Sequence, residues 1–425
     1  MSNESIEMVY SACCEWLDDW TSAHPPALAD EWDLSNWLET EMQEAVETFV
    51  TYGFNTSRAR NDAVQILRAL LYEYYLWERD RTLLALRPLP HIVSSLRSLP
   101  QTDQKSPAWF RESKDLLTGH EFGTVCYGGG KTRDAVVRKK CSQLAVDDSV
   151  VTMNPTVFRA DEDGRLSAFK WGWRFEPVIR AIYERVVAGA PVYDGLGRIR
   201  HPTLPRLAAS PDGLILEGPK QGRLLEIKAP LSRVLTGTIP LDYWCQMQLQ
   251  AEVCGVEAVE YVEARLASSP VGPTAAQWAA AMLGVVGVLF VVSPVAGGPA
   301  QDYEYVYGPV FTNVAECVAF VPELAEGTVL IETCIWWVED WYTTTVPRNR
   351  RWWDAVGGPA YESFWRDVDD ARRTKRFEAA HGFVVPGEEE VLEHTGNNEE
   401  ESAAAEAVEA AVAAAVTGHG FILDA

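Results

Sequence analysis

Two acidic residues and a lysine stand close together in the middle of the chain, in a pattern that can do chemistry. Asp212 precedes one apolar stretch, and Glu226 and Lys228 end the next, after a glycine-rich turn. Because alternate residues of a strand face the same side, Glu226 and Lys228 would share one face while Leu225 and Ile227 point into the core. Asp212, at the start of the preceding strand, can approach the same face. The segment is therefore predicted to be a β-hairpin that gathers two carboxylates and an ammonium group.

This set of groups suits the hydrolysis of a phosphodiester. That reaction needs a cation to neutralise charge on the phosphate, a deprotonated water, and stabilisation of the leaving oxygen. Mg²⁺ prefers oxygen ligands, so Asp212, Glu226 and the main-chain carbonyl of Ile227 are candidate metal ligands. The Lys228 ammonium can orient the attacking water and lower its pKa. Each piece alone is weak evidence, because Pro-Asp-Gly is a common turn and Glu-x-Lys on a strand is more often a solvated face.

Three further segments accompany the hairpin in the sequence. Residues 106–119 contain a tryptophan in a predicted helix, residues 171–180 place Glu176 on a helix, and residues 243–250 read YWCQMQLQ. Together, in this order, the motifs resemble those of the lambda-exonuclease or YqaJ-like viral recombinase family of PD-(D/E)xK nucleases. The resemblance extends in scattered motifs over about residues 106–311.

The resemblance implies both a fold and a reaction. The fold would be α/β, with a restriction-endonuclease-like core in which a mixed central sheet is flanked by helices. The reaction would be processive 5′-to-3′ digestion of linear double-stranded DNA with a pair of Mg²⁺ or Mn²⁺ ions, in viral-type recombination or repair. Glu176 would be an additional acidic residue beside the metals, and Gln246 an active-site amide that positions water or phosphate. The alternative for Glu176 is an exposed ion pair with Arg180, and Gln248 and Gln250 are interpreted as helix-surface residues.

The DNA contacts follow the family pattern less closely. Where the family usually has a phosphate-binding arginine, this chain has Ser113, and where its opening motif usually ends in serine, this chain has His120. A neighbouring basic residue can take over the contact, although a solvated lysine is an equally good interpretation of Lys114. The predicted DNA-binding residues are Arg111, Lys114, Ser210 and Arg233.

The net charge of −24 argues at first against a nucleic-acid partner, because binding phosphates requires local positive potential. The charge is unevenly distributed, however. Residues 388–425 contain ten acidic residues and no Lys or Arg, whereas basic residues cluster at 138–140 and 198–206. A local basic groove can therefore exist on an acidic molecule, and double-stranded DNA stays the predicted partner, together with a single-strand annealing protein and other copies of the chain.

The length of 425 residues predicts more than one structural unit. We predict a helical accessory domain at 1–98, the nuclease domain at 99–378, and an acidic Ala/Glu-rich tail at 379–425. The eight cysteines form no C-x-x-C pair, which is typical of reduced thiols in an intracellular protein. No secretory signal and no apolar run of spanning length is found, so we predict no membrane association and an intracellular location, in the cytoplasm or nucleus of an infected host cell if the protein is viral.

Two alternatives stay open at this point. A related nuclease that cuts internally or trims flaps, as alkaline nucleases do, would use the same residues and differ only in its preference for DNA ends. A non-catalytic DNA-end-binding recombination protein would keep the fold, but the intact set of Asp212, Glu226 and Lys228 argues against it. An iron–sulfur nuclease is disfavoured, because the cysteine cluster that would follow Lys228 is absent.

Overall fold

The structure, a computed structural model, describes residues 86–142, 168–295 and 303–377, with single positions at 11, 15 and 166. Most of the predicted helical domain at 1–98 and all of the predicted tail at 379–425 lie outside the described residues. The division into three domains stays a prediction. Within the described ranges, no helix is both long enough and apolar enough to cross a membrane.

The described part of the chain alternates helices and strands. The helices are α1 (Pro90–Ser98), α2 (Pro107–Glu112), α3 (Gly119–Tyr127), α4 (Gly130–Ser142), α5 (Ala168–Tyr183), α6 (Leu241–Cys254), α7 (Ala275–Ala280), α8 (Val314–Ala319), α9 (Arg350–Trp352) and α10 (Gly358–Thr374). Short 3₁₀ or π turns follow α2, α5 and α9, at Ser113–Asp115, Glu184–Ala188 and Trp353–Gly357.

The strands form one large sheet and one short ladder. They are β1 (Val192–Tyr193), β2 (Ile199–Arg200), β3 (Ala208–Ala209), β4 (Gly213–Ile215), β5 (Leu224–Lys228), β6 (Ala258–Ser269), β7 (Val286–Ser293), β8 (Glu304–Phe311) and β9 (Val329–Pro347). The seven-stranded sheet has the order β1-β4-β5-β6-β9-β7-β8, and β2 pairs with β3. Only β5 and β6 pair in parallel within the large sheet, with α6 as the crossover between them. This mixed sheet flanked by helices confirms the predicted α/β class.

The predicted hairpin is formed by β4 and β5. Gly213 pairs with Leu225 and Leu214 with Leu224, in antiparallel register. The connecting turn ends at Gly222, whose φ of 86° favours glycine. A Cβ there would also lie 2.6 Å from the carbonyl oxygen of Leu89, which precedes α1. The tight turn therefore fixes the hairpin and docks it against the chain that leads into α1.

Both faces of β5 are covered, and this is why the strand is almost wholly buried. On one face, Leu224 packs with residues of α3, α4, α6 and α10. On the opposite face, Leu225 and Ile227 pack with α5. Glu226 and Lys228 follow Leu224 in the alternation, so their side chains are directed toward the α6 face.

Candidate active site

Glu226 and Lys228 form an ion pair at the end of β5, in which the carboxylate is buried and the ammonium is partly exposed. The Glu226 side chain is 1% exposed, and Lys228 Nζ lies 2.7 Å from Glu226 Oε1. Although burial acts to lower the pKa of Lys228, the charge of Glu226 raises that pKa above its usual value, and the ammonium stays protonated. A solvated charged face, the ordinary interpretation of a Glu-x-Lys pair, is therefore wrong here.

Helix α6 completes the arrangement around the ion pair. Gln246 Nε2 donates to Glu226 Oε1 at 2.6 Å, while Lys228 Nζ donates to Gln246 Oε1 at 3.0 Å. The ring of Tyr243, one helical turn before Gln246, lies 4.3 Å from Lys228 Nζ. A Cβ at Gly119 of α3 would come within 2.5 Å of Gln246 Cγ, so α3 and α6 approach closely at this point. The structure thus brings Gln246 to the predicted site.

Asp212 approaches the same group from the start of β4. Its Oδ2 accepts a hydrogen bond from the backbone N–H of Ile227 at 2.7 Å. Burial, and then the charges of Glu226 and Glu176, raise the pKa of Asp212 well above its usual range, while Lys228 and the Ile227 N–H act in the opposite direction. The like charges of Glu226 and Glu176 therefore both act on Asp212.

Glu176 lies on α5 beside a lysine that the sequence did not identify. Lys105 Nζ is 3.5 Å from Glu176 Oε2 and also lies over the ring of Trp173, 4.6 Å from its centroid. Arg180 does not pair with Glu176, since its Nη2 lies 2.6 Å from Asp194 Oδ2. The exposed Glu176–Arg180 pair, kept open as an alternative, is wrong.

The residues present fit a divalent cation. Within the described ranges, no three His, Cys, Asp or Glu side chains are close enough to hold a metal ion on their own. Mg²⁺, however, usually keeps several waters and takes only one or two carboxylates together with substrate phosphate. Burial, followed by the charges of Glu226 and Glu176, raises the pKa of Asp212, and a cation beside these carboxylates would favour its charged form. Asp212 and Glu226 fit as carboxylate ligands, with Glu176 and the Ile227 carbonyl as further candidates.

The predicted DNA-binding residues border this group in two places. Ser210 Oγ accepts a hydrogen bond from Trp109 Nε1 at 3.1 Å, which ties α2 to the start of the hairpin. Arg111 lies in the last turn of the same helix, and Lys114 lies half-buried in the turn that follows. Arg233 forms an ion pair with Glu263 of β6, and its guanidinium lies 5.6 Å from the Tyr243 ring that also contacts Lys228.

Two buried cations occupy the surroundings of Ser113, where the family has an arginine. Arg198 Nη2 donates to Ser113 Oγ at 3.1 Å, and Lys140 Nζ donates to the Ser113 carbonyl at 2.9 Å. Arg198 is 2% exposed and Lys140 1% exposed, so both brace the segment rather than offer a free surface. No local signal links these residues to Ser113, because they come from distant parts of the sequence.

The interpretation of Gln248 and Gln250 as helix-surface residues is wrong. They are 2% and 1% exposed. Gln248 Nε2 donates to the carbonyl of Pro347, and Gln250 Nε2 donates to Glu226 Oε2 at 2.6 Å. A signal for Gln250 was present, since it follows Gln246 by four residues and so shares its face of the helix.

The comparisons with known proteins bear on the same part of the chain. Residues 108–257 match a family model described as the YqaJ-like viral recombinase domain. This match contains the hairpin, α5 from Trp171 onward and α6, and it confirms the resemblance drawn from the sequence motifs.

Solved structures similar to this chain include an alkaline exonuclease, LHK-Exo from Laribacter hongkongensis. The two share 17% sequence identity with a TM-score of 0.37, and the similarity covers 65% of this chain and 98% of that one. The structure of LHK-Exo in complex with dAMP is similar at 16% identity and a TM-score of 0.36, with the same coverage. No curated protein matches the chain significantly.

Proposed function

We propose that this protein is a metal-dependent deoxyribonuclease that degrades linear double-stranded DNA from its 5′ ends, in viral-type recombination or repair. The observation that carries the proposal is the convergence of Asp212, Glu226, Lys228 and Gln246 within a YqaJ-like domain, where carboxylates, an ammonium and an amide meet, with Glu226 buried and the other three partly exposed. Burial of the Glu226 charge costs stability, so packing alone does not account for it.

Each residue of the group has a role that its contacts support. Asp212 and Glu226, with the Ile227 carbonyl and Glu176, would hold Mg²⁺ or Mn²⁺. When bound, such ions supply Lewis-acid stabilisation of charge on the phosphate and lower the pKa of water. Lys228, which stays protonated, can donate a hydrogen bond to the attacking water. Gln246 accepts from Lys228 and donates to Glu226, so it fixes both groups before substrate binds.

The DNA strand would be held around this group by the predicted binding residues. Arg233 shares the Tyr243 ring with Lys228 and so lies on the ammonium side of the site. Ser210 lies two residues before Asp212 and accepts a hydrogen bond from Trp109. Arg111 and Lys114 can extend the contact along the phosphates. A single-strand annealing partner, a homo-oligomer and an intracellular location stay predictions.

A digestion experiment tests the proposal. Purified protein is incubated with linear duplex labelled at either the 5′ or the 3′ end, and with closed circular duplex, in Mg²⁺ or in EDTA. We expect early release of the 5′ label, later release of the 3′ label, intact circles, and no reaction in EDTA. Cutting of the circles would favour an internal or flap nuclease, and binding of ends without hydrolysis would favour a non-catalytic end-binding protein.

A further inference from the structure

Both oxygens of the Glu226 carboxylate are held from the same helix. Glu226 Oε1 receives the Gln246 amide at 2.6 Å and the Lys228 ammonium at 2.7 Å, while Oε2 receives Gln250 Nε2 at 2.6 Å. The two glutamines are four residues apart on α6, so their side chains emerge one turn apart on the same face. The carboxylate is therefore clamped at both ends.

Core packing does not explain a glutamine at position 250. The residue is 1% exposed, and its own Oε1 is buried without a hydrogen-bond partner among the described residues. An unsatisfied acceptor in the interior costs stability, and an apolar side chain of the same size would avoid that cost. The hydrogen bond from the Gln250 Nε2 group to Glu226 explains why this position has an amide.

We infer that Gln250 is a positioning residue for the proposed nuclease reaction, on which this inference rests. Because Oε2 has a hydrogen-bond donor of its own, the carboxylate resists rotation about the Cγ–Cδ bond. Oε1 therefore stays directed at Lys228 and Gln246. The hydrogen bond also fixes Oε2, which carries one donor and keeps a lone pair for a metal, whereas Oε1 already accepts from both Gln246 and Lys228. Groups that orient a metal ligand in this way typically change metal affinity or activity about 10–100-fold when they are removed.

Gln248 provides a matched control on the same helix. It is 2% exposed, and both ends of its amide are used at the end of β9. Gln248 Nε2 donates to the Pro347 carbonyl at 2.9 Å, and Gln248 Oε1 accepts from the backbone N–H of Asn349 at 2.7 Å. Its contacts hold the chain between β9 and α9 and do not reach Glu226. Gln248 is thus a buried glutamine of structural role, two residues from Gln250.

The test compares Gln250→Met with Gln248→Met, since methionine keeps the volume and removes the amide. For Gln250→Met we expect a loss of about 10–100-fold in kcat, an almost unchanged KM for duplex DNA, and Mn²⁺ binding weakened by a similar factor in the absence of DNA. For Gln248→Met we expect a lower unfolding temperature with kcat and Mn²⁺ affinity per folded molecule close to wild type. Mn²⁺ binding is followed by the loss of the electron paramagnetic resonance signal of the free ion.

The outcomes separate this inference from the proposed function. If the wild type degrades no DNA, the proposed nuclease fails, while the Mn²⁺ titrations still show whether Gln250 orients Glu226. If the wild type is active and Gln250→Met behaves as Gln248→Met does, the role of Gln250 is overturned and the nuclease stands. If Gln250→Met fails to fold, Gln250→Asn replaces it, because its amide is too short to reach Glu226. The same changes in kcat and Mn²⁺ affinity are then expected. Failure of both variants to fold would make Gln250 a residue of the fold and overturn the inference.

Discussion

Two buried glutamates on neighbouring strands of the sheet differ in how far nearby cations compensate their negative charge. Glu260 of β6 is fully buried, and two cations compensate it, with Lys220 Nζ at 2.5 Å and Arg223 Nη1 at 2.7 Å. The hydroxyls of Tyr183 and Thr345 donate to it as well, each at 2.8 Å. Every oxygen of Glu260 has partners of opposite charge, as a structural ion pair requires.

Glu226 of β5 is equally buried but lies in an unbalanced environment. Lys228 is its one close cation among the described contacts, and its other partners are neutral amides. Asp212 and Glu176 add negative charge nearby, which raises the pKa of Asp212. Glu260 and Glu226 face opposite sides of the sheet, since Glu260 is in register with Leu225, the residue before Glu226. The difference teaches that the Glu260 carboxylate is balanced within the fold, whereas the group around Glu226 has the excess negative charge that the proposed metal ion would compensate.

The largest expected effect comes from removing a charged group close to Glu226. Lys228→Met and Asp212→Asn should each lower kcat by at least about 10²–10³-fold, the range found when one transition-state contact is lost. Asp212→Asn should keep its fold and bind duplex DNA, whereas Lys228→Met leaves the buried Glu226 without its cation, so its activity is compared per folded molecule. Activity of either purified variant near the wild-type level in the digestion assay would contradict the role of that residue.

Removing the charge of Glu260 should lower the stability of the protein and leave its catalytic rate unchanged. Glu260→Gln removes the charge that compensates Lys220 and Arg223, and loss of one partner of a buried ion pair costs about 3–5 kcal/mol. We expect this loss in the free energy of unfolding, measured by denaturant titration, with kcat per folded molecule unchanged. A fall in kcat without a fall in stability would show that Glu260 takes part in the reaction.

The raised pKa of Asp212 predicts how stability depends on pH in the metal-free protein. Because the folded state holds this proton more tightly than the unfolded state, its contribution is fully present below the usual Asp range and is lost as pH rises through the raised pKa. At neutral pH, in EDTA, Asp212→Asn should therefore be more stable than wild type, and the difference should shrink on acidification. Unfolding curves of the two proteins across pH check this, and an Asn variant less stable than wild type at neutral pH contradicts it.

The smallest effect is expected at Lys105, the cation beside Glu176. Its side chain is 38% exposed, so water screens its charge and limits the interaction to about 0.2–1 kcal/mol. Lys105→Met should tighten Mn²⁺ binding by roughly two- to five-fold, because a competing positive charge is removed. Lys105→Arg, which keeps the charge, should leave the affinity near wild type. Weaker Mn²⁺ binding in the methionine variant would mean that Lys105 supports the site instead of competing for it.

The sequence predicted the parts of the site that depend on local pattern. The hairpin followed from strand alternation around Glu226 and from the turn glycines, and the α/β class followed from alternating periodicities. Gln250 was missed although it lies four residues after Gln246 on the same face of α6, because glutamine is usually exposed and the neighbours of α6 are not known from the sequence. Lys105 and Arg198 were missed for a different reason, since each reaches its partner from a segment remote in sequence, and no periodicity records such a contact.

Mn²⁺ binding to the metal-free protein tests most directly whether Asp212, Glu226 and Glu176 hold a catalytic cation. The titration compares wild type with Asp212→Asn and Glu260→Gln, at neutral pH and without DNA. Wild type should bind Mn²⁺, Asp212→Asn should bind it at least about 10-fold more weakly, and Glu260→Gln should bind it as wild type does. Equal affinity in wild type and Asp212→Asn, or no binding to wild type at all, would contradict the assignment of this group as a metal-dependent active site.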